Sequence, residues 1–321
     1  ADYANLVDQL TIFLLTKNSK NFTEVEIGKL KIIPMSHLQA YFCQLAGNFD
    51  LVTVQDPFEN GIIGWHLAKK IKAKLQLQVH TDLLSPYFWQ ESLKNKIRVM
   101  IAKWLLPKAD GIRVVSRRIR DSLVYRWKID PAKITVLPIV NDQPKNVESI
   151  DLKTKYPQFT KIVLIASRLT KEKNVSLILK AFKRVTDQVP GVGLVIVGDG
   201  PEKENLIKLT KTHHLESKTC FVGWSDQVVS YYQKADVFVS ASWYEGYGLT
   251  IVEALTAGCP VVATDVGIAK EAGAVVADFT AEDLAEKIVG VLASGARGKL
   301  ADQFKMNKHD YLEAYRRSWQ I

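Results

Sequence analysis

Cysteine is scarce: Cys43, Cys220 and Cys259 lie far apart in 321 residues and form no C-x-x-C spacing. An odd, scattered set supports neither a disulfide framework nor a zinc site, and a reducing cytoplasm suits it best. No apolar run approaches the ~18 residues that a membrane span needs. The chain starts ADYANLVDQLTIFLL, without Met and without the basic, apolar and cleavage-site sequence of a secretory signal. No D-x-D occurs, so the clustered carboxylates that commonly hold a divalent cation are missing from the sequence. Low-complexity stretches are absent as well.

What remains is an ordinary globular composition, 47% hydrophobic and 24% charged, in a chain longer than one core usually supports. Two domains are expected. The formal charge of +9 is unevenly placed: between Lys69 and Lys133, 16 Lys and Arg stand against five acidic residues. Such a patch attracts phosphates, acidic lipid surfaces or nucleic acid. No stacking motif or recognised nucleic-acid module accompanies it, so a nucleic-acid partner is not expected.

From Lys161 onward, short apolar β-rich runs (KIVLIA, GLVIVG, TCFVG, DVFVSAS, PVVAT) alternate with helix-length amphipathic runs. That alternation predicts a parallel sheet covered on both faces, with ligands at the carboxyl ends of its strands. LTIFLL, LVTVQ, LQLQVH and GIRVVS repeat the theme in the first half and predict a second doubly wound domain. A polar, aperiodic stretch near residues 140–158 reads as the linker, and FKMNKHDYLEAYRRSWQI as a final helix. A cleft between two such domains is the default place for an active site.

Two constellations carry chemistry. In SWYEGYGLTIVEALTAG, Glu245 sits in a glycine-rich turn at the end of a strand, and Glu253 lies eight residues on, inside a helix. Gly246 and Gly248 allow close backbone approach, and the helix-opening amides of Leu249, Thr250 and Ile251 suit a phosphate. A carboxylate such as Glu253 can accept two vicinal hydroxyls. In SRLTKEKN, Arg168 and Lys173 stand at the carboxyl end of the first strand of the same half, where two cations could neutralise a diphosphate. Each feature alone also fits a bland reading, an exposed helix face for the glutamates and a solvated basic loop for the cations.

Together, SRLTKEKN, VIVGDGPEKENL, FVGWSDQVVSYYQKADVFVSAS and YEGYGLTIVEALTAGCPVVATDVGIAKE resemble, in this order, the donor-binding half of glycosyltransferase family 4, retaining enzymes of GT-B fold. The resemblance is close from Lys161 to about Ser294; LVTVQDPFENG, LQVHTD, KADGIRVVSRRIRDSL and ITVLPIVND carry it more loosely through the first half. It implies an α/β chain of two facing Rossmann-like domains with an interdomain cleft: an acceptor-side domain, 1–148, joined by the C-terminal helix 303–321, and a donor-binding domain, 149–302. Family members open with a strand and a glycine-rich loop that this chain is expected to lack. The resemblance implies a UDP- or GDP-linked sugar as co-substrate and a glycan, glycolipid or other hydroxyl acceptor, with no metal required. Arg168 and Lys173 would bind the diphosphate, Glu253 the ribose and Glu245 the transferred sugar, with the Tyr247–Ile251 backbone near the phosphates. His80 would lie near the reacting sugar, Asp82 and Asp56 on the acceptor side, and the base by Gly198, Gly200 and Val222.

The acceptor is less legible. PYFWQESLKNKIRVMIAKWLLPK interleaves Phe88, Trp89, Trp104, Leu105 and Leu106 with Lys94, Lys96, Arg98 and Lys103. This suits either a helix lying on an anionic membrane through 88–106, with the protein on the cytoplasmic face, or a core-facing helix with a solvated basic side. Two rival functions stay open: a sugar-nucleotide 2-epimerase using Asp56 and Glu59, and a non-catalytic nucleotide-sugar binder.

Overall fold

The computed structural model describes residues 2–16, 22–44, 47–141 and 150–321. The chain divides into two compact units, 1–140 with 306–321, and 141–305. The sequence-based domain boundary at 148/149 lies outside the described residues.

The first unit runs β1 (Leu10–Leu15), β2 (Val25–Ile27), β3 (Leu30–Met35), α1 (His37–Phe42), β4 (Leu51–Val54), α2 (Glu59–Ile71), β5 (Lys74–Val79), α3 (Pro86–Glu91), α4 (Leu93–Leu105), β6 (Gly111–Val114), α5 (Arg117–Trp127) and β7 (Ile134–Val136). Strands β4 to β7 form a parallel sheet in chain order. A single doubly wound sheet is predicted, but β1, β3 and β2 form a second, three-stranded sheet. Among the described residues no ladder joins β1 to β4; helix α2 spans the two sheets instead. Its Ile63 and Leu67 pack with Met35 and Ala40 against Phe13, Leu15 and Ile33. Gly64 lets the same helix lie flat on β4, where a Cβ would come 2.2 Å from the Val54 side chain.

The second unit runs α6 (Leu152–Lys155), β8 (Lys161–Ala166), α7 (Val175–Gln188), β9 (Val192–Val197), α8 (Lys203–Thr212), β10 (Thr219–Gly223), α9 (Val228–Lys234), β11 (Val237–Ser240), α10 (Leu249–Thr256), β12 (Val261–Thr264), α11 (Ala269–Ala272), β13 (Val275–Ala277) and α12 (Ala281–Ser294). The predicted linker ends earlier than 158, because Leu152, Tyr156 and Phe159 are already buried in this unit. Its six strands are all parallel, in the order β10-β9-β8-β11-β12-β13. Burial on both faces explains the unbroken apolar sequence of β8 and β9. Helix α7 presents Val175, Ile178, Leu179, Phe182 and Val185 to the sheet, a helical repeat of apolar residues. The strand order reverses between β8 and β11, and ligands of doubly wound sheets bind outside the strand ends at such a reversal.

The last helix, α13 (Lys308–Arg317), belongs to the first unit. A buried arginine holds it there. Arg113 of β6 donates to Gln78 Oε1 at 2.7 Å, to the Leu137 carbonyl at 3.3 Å and to the Tyr311 hydroxyl at 3.1 Å. Its guanidinium also lies 4.6 Å from the centre of the Tyr315 ring. A buried cation is tolerated only with partners of this kind.

Candidate active site

The reversal point sets the site. The loop after β8 carries Arg168 and Lys173, and the loop after β11 carries Glu245. The Trp243 amide donates to the Glu172 carbonyl at 2.8 Å and ties the two loops together. Lys173 Nζ then reaches Glu245 Oε1 at 2.5 Å, and the buried Ser242 hydroxyl donates to the same oxygen at 2.8 Å. Thr264 Oγ1 donates to the Ser242 carbonyl at 2.8 Å and fixes the turn from below. Lys173, Ser242, Glu245 and Thr250 line one cavity with only about 10 Å³ of free volume, room for a single water. A lysine and a carboxylate, both half-buried, thus lie at the mouth of the sheet beside the start of a helix.

That helix is α10. Gly248 at φ +95° is its N-cap, a left-handed conformation that favours glycine. Three open amides are predicted, but Ile251 turns its N–H back to the Gly248 carbonyl at 3.0 Å, leaving Leu249 and Thr250. Gly246 and Tyr247 are buried, and the Tyr247 carbonyl accepts from the Ile268 amide at 3.0 Å. One turn into α10, Glu253 Oε2 accepts from the Tyr232 hydroxyl at 3.4 Å. Burial raises the Glu253 carboxyl above its usual range, while the Tyr232 bond partly opposes the shift. Tyr232, from α9, is fully buried and its hydroxyl is held well above the usual tyrosine range, first by burial and then by Glu253.

On the other side of β8, the Gly198 amide donates to the Gly223 carbonyl at 2.7 Å, so the ends of β9 and β10 meet. Gly200 and Val222 flank this bridge and are partly exposed. Arg168 is not gathered in: its side chain is 80% exposed and lies 3.9 Å from Glu172.

The remaining candidates belong to the first unit. His80 follows β5, and its Nε2 lies 3.1 Å from Gln78 Oε1. Gln78 donates through Nε2 to Tyr315 and Thr53 and accepts from Arg113 through Oε1, so its amide orientation is fixed. His80 Nε2 must therefore be the protonated nitrogen, which leaves Nδ1 as an acceptor. Burial, with Arg113 nearby, pushes the imidazole down to about 4. Asp82 accepts from the Leu84 amide at 3.3 Å and is raised by burial. Asp56 accepts from the Phe58 amide at 2.9 Å and from Asn60 Nδ2 at 2.8 Å, which caps the entry to α2. Glu59 binds Arg98 through both oxygens, at 3.0 and 3.1 Å. The acid/base pair that an epimerase would need is thus engaged in structural bonds.

The His80 shift has a measurable sign. Unfolded histidine titrates near 6.5 and His80 near 4, so acidification between these values loads the unfolded chain with a proton that the native state refuses. Stability should fall through that window, and His80→Asn should fall less. Melting curves from pH 7.5 to 4.5 test this, and equal slopes would contradict a neutral, buried His80.

Comparison with known proteins agrees with this architecture. The family model described as "Glycosyl transferases group 1" matches residues 147–310, and that described as "Glycosyltransferase Family 4" matches 27–139. The fold is GT-B, an α/β arrangement of Rossmann-like units: sucrose-phosphate synthase from Thermosynechococcus elongatus superposes with a TM-score of 0.72, at 21% identity, over 97% of this chain and 84% of its own. Anabaena HepE, solved with UDP and glucose, gives 0.64 at 20% identity, over 77% of this chain and 70% of its own. The chain belongs to the group 1 glycosyltransferases. The Campylobacter jejuni N-acetylgalactosamine-N,N'-diacetylbacillosaminyl-diphospho-undecaprenol 4-alpha-N-acetylgalactosaminyltransferase is 33% identical over 54% of this chain and 47% of its own length. The Streptococcus pneumoniae alpha-monoglucosyldiacylglycerol synthase is 30% identical over 67% of this chain and 51% of its own. The chain therefore spans about half the length of these curated relatives.

Proposed function

We propose that the protein transfers a hexosyl group from a UDP- or GDP-linked sugar to a hydroxyl of a glycan or glycolipid, with retention and without a metal. The observation that carries this reading is the Lys173–Glu245–Ser242 cluster beside the α10 N-terminus, at the reversal of the six-stranded sheet. Lys173 and the Leu249 and Thr250 amides bring positive charge to a diphosphate, and Arg168, on the same loop, adds an exposed guanidinium. Glu245 faces the transferred sugar and Glu253 the ribose hydroxyls; Gly198, Gly200 and Val222 border the base. His80, through Nδ1, accepts from a sugar hydroxyl, and Asp82 lies on the acceptor side. The similarity to a diphospho-undecaprenol N-acetylgalactosaminyltransferase and to an alpha-monoglucosyldiacylglycerol synthase supports a lipid-borne acceptor, and the reaction is proposed for the cytoplasmic side of a membrane.

In the reaction, the bond from the sugar's C1 to the diphosphate oxygen breaks, and its electron pair leaves with the diphosphate. The acceptor oxygen bonds C1 on the same face, and its proton passes to the departing phosphate oxygen. Stabilising the leaving group and orienting the two reactants are the protein's contributions. The test is nucleoside diphosphate release from UDP- and GDP-sugars, with and without glycolipid acceptors and EDTA. Acceptor-dependent, EDTA-insensitive release from one nucleotide class is expected. Interconversion of sugar nucleotides without release would instead favour an epimerase.

A further inference from the structure

Helix α4 has two apolar faces. Asn95, Val99, Ala102 and Leu105 pack inward. Leu93, Ile97, Met100 and Trp104 point the other way, with exposures from 46% for Ile97 to 74% for Leu93. Their spacing places all four within roughly 60° of the helix circumference, opposite the buried side. Of the apolar residues picked out in the sequence, Phe88, Leu105 and Leu106 are core, whereas Trp89 and Trp104 are exposed. The core-facing reading thus holds for only one side of this helix.

Charge frames the stripe. Lys94 borders it on one flank and Lys96 and Lys103 on the other, all exposed. Arg98 is engaged by Glu59 and is not part of that frame. At the far end, Trp104 packs edge-on to Trp65 at 5.1 Å; Lys108 sits 4.4 Å from the Trp104 ring and Lys69 4.4 Å from the Trp65 ring. An apolar line with cations on both flanks and a lysine-covered indole pair at its end has the chemistry of an interfacial helix. Monomeric proteins rarely leave such a stripe bare. Among the described residues, no helix is long and apolar enough to cross a membrane.

We propose that α4 is a docking face for an anionic phospholipid surface, with Leu93, Ile97, Met100 and Trp104 entering the acyl boundary and Lys94, Lys96, Lys103, Lys69 and Lys108 on the headgroups. Charge complementarity selects this occupant: each flanking lysine adds about fivefold to affinity for an anionic leaflet, and none of that gain arises on a neutral one. The proposal rests on the transferase reading only in making the acceptor a lipid-borne hydroxyl.

The test is co-sedimentation of the full chain with vesicles of phosphatidylglycerol and phosphatidylcholine in equal parts, and of phosphatidylcholine alone, at 0.15 and 1 M NaCl. Binding to the first vesicles, weakened at least tenfold on the second and by high salt, is expected. Two surface variants follow: Leu93→Ser/Met100→Ser/Trp104→Ser, and Lys94→Gln/Lys96→Gln/Lys103→Gln. Each should lose at least tenfold in vesicle affinity while keeping the melting temperature and the UDP or GDP thermal shift of the parent. No binding to either vesicle, or binding that both variants retain, overturns the proposal. So does a parent dimer that the serine variant converts to monomer, since a second copy would then cover the stripe. Loss of the nucleotide shift in the parent, with vesicle binding intact, would overturn the transferase reading and leave the docking face standing.

Discussion

Lys173→Met should lower turnover by about 10²–10³-fold, the loss seen when one preorganised group is removed from a developing anion. The ammonium is half-buried and 2.5 Å from Glu245, so among the described residues its removal leaves the carboxylate to Ser242, at the place proposed for a diphosphate. Both the missing cation and the bare anion oppose binding. Glu245→Gln separates the two effects. It frees Lys173, so nucleoside diphosphate affinity should hold or rise, while turnover should fall because the group proposed to face the sugar has lost its charge. Steady-state kinetics with titration of the diphosphate distinguishes these outcomes. Equal losses of affinity in both variants would mean that the pair is a structural salt bridge.

Gly198→Ala should destabilise the second unit by roughly 2–6 kcal/mol, adding positive-φ strain to a steric conflict. Gly198 sits at φ +132°, and a Cβ there would lie 1.9 Å from the Ser167 carbonyl oxygen. Neither backbone can retreat cheaply, because the Ser167 amide bonds the Val197 carbonyl at 3.1 Å and the Gly198 amide bonds the Gly223 carbonyl at 2.7 Å. Gly223→Ala is the control. It shares a positive φ, +84°, but a Cβ meets nothing within 4 Å, so only about 1–2 kcal/mol of strain is expected. Denaturant melts followed by tryptophan fluorescence compare the two; equal destabilisation would mean that the close approach to Ser167 is relaxed at little cost.

The sequence made the second unit legible because both faces of its sheet are buried, which leaves unbroken apolar runs such as KIVLIA. It also showed Lys173 and Glu245, since the loops that carry them follow strands directly, and Glu253, eight residues further on in the helix that the second loop opens. Side chains that act through a third residue were hidden. Ser242 and Tyr232 look like ordinary strand-end and helix residues, and only folding reveals that their hydroxyls meet Glu245 and Glu253. Arg113 did leave a trace, as a charge inside the apolar GIRVVS, yet nothing local says that its partners come from α13 and β5. In the first unit, LKIIPM carries a proline, which argues against a strand when the sequence is read alone. Pro34 is tolerated in β3 because β2 pairs only with Leu30–Ile32, so that edge is already free at Pro34. Three-residue β13 was too short to stand out.

The most direct test of the donor site is thermal unfolding with UDP, GDP, ADP and dTDP at millimolar concentration, each with and without EDTA, beside Glu253→Ala. A ligand at about 100 times its dissociation constant adds roughly 2.7 kcal/mol, which for a unit of this size shifts the midpoint by about 5–10 °C. Such a shift is expected with UDP or GDP, unchanged by EDTA and largely lost in the variant. No shift with any diphosphate, or an equal shift in Glu253→Ala, would contradict it.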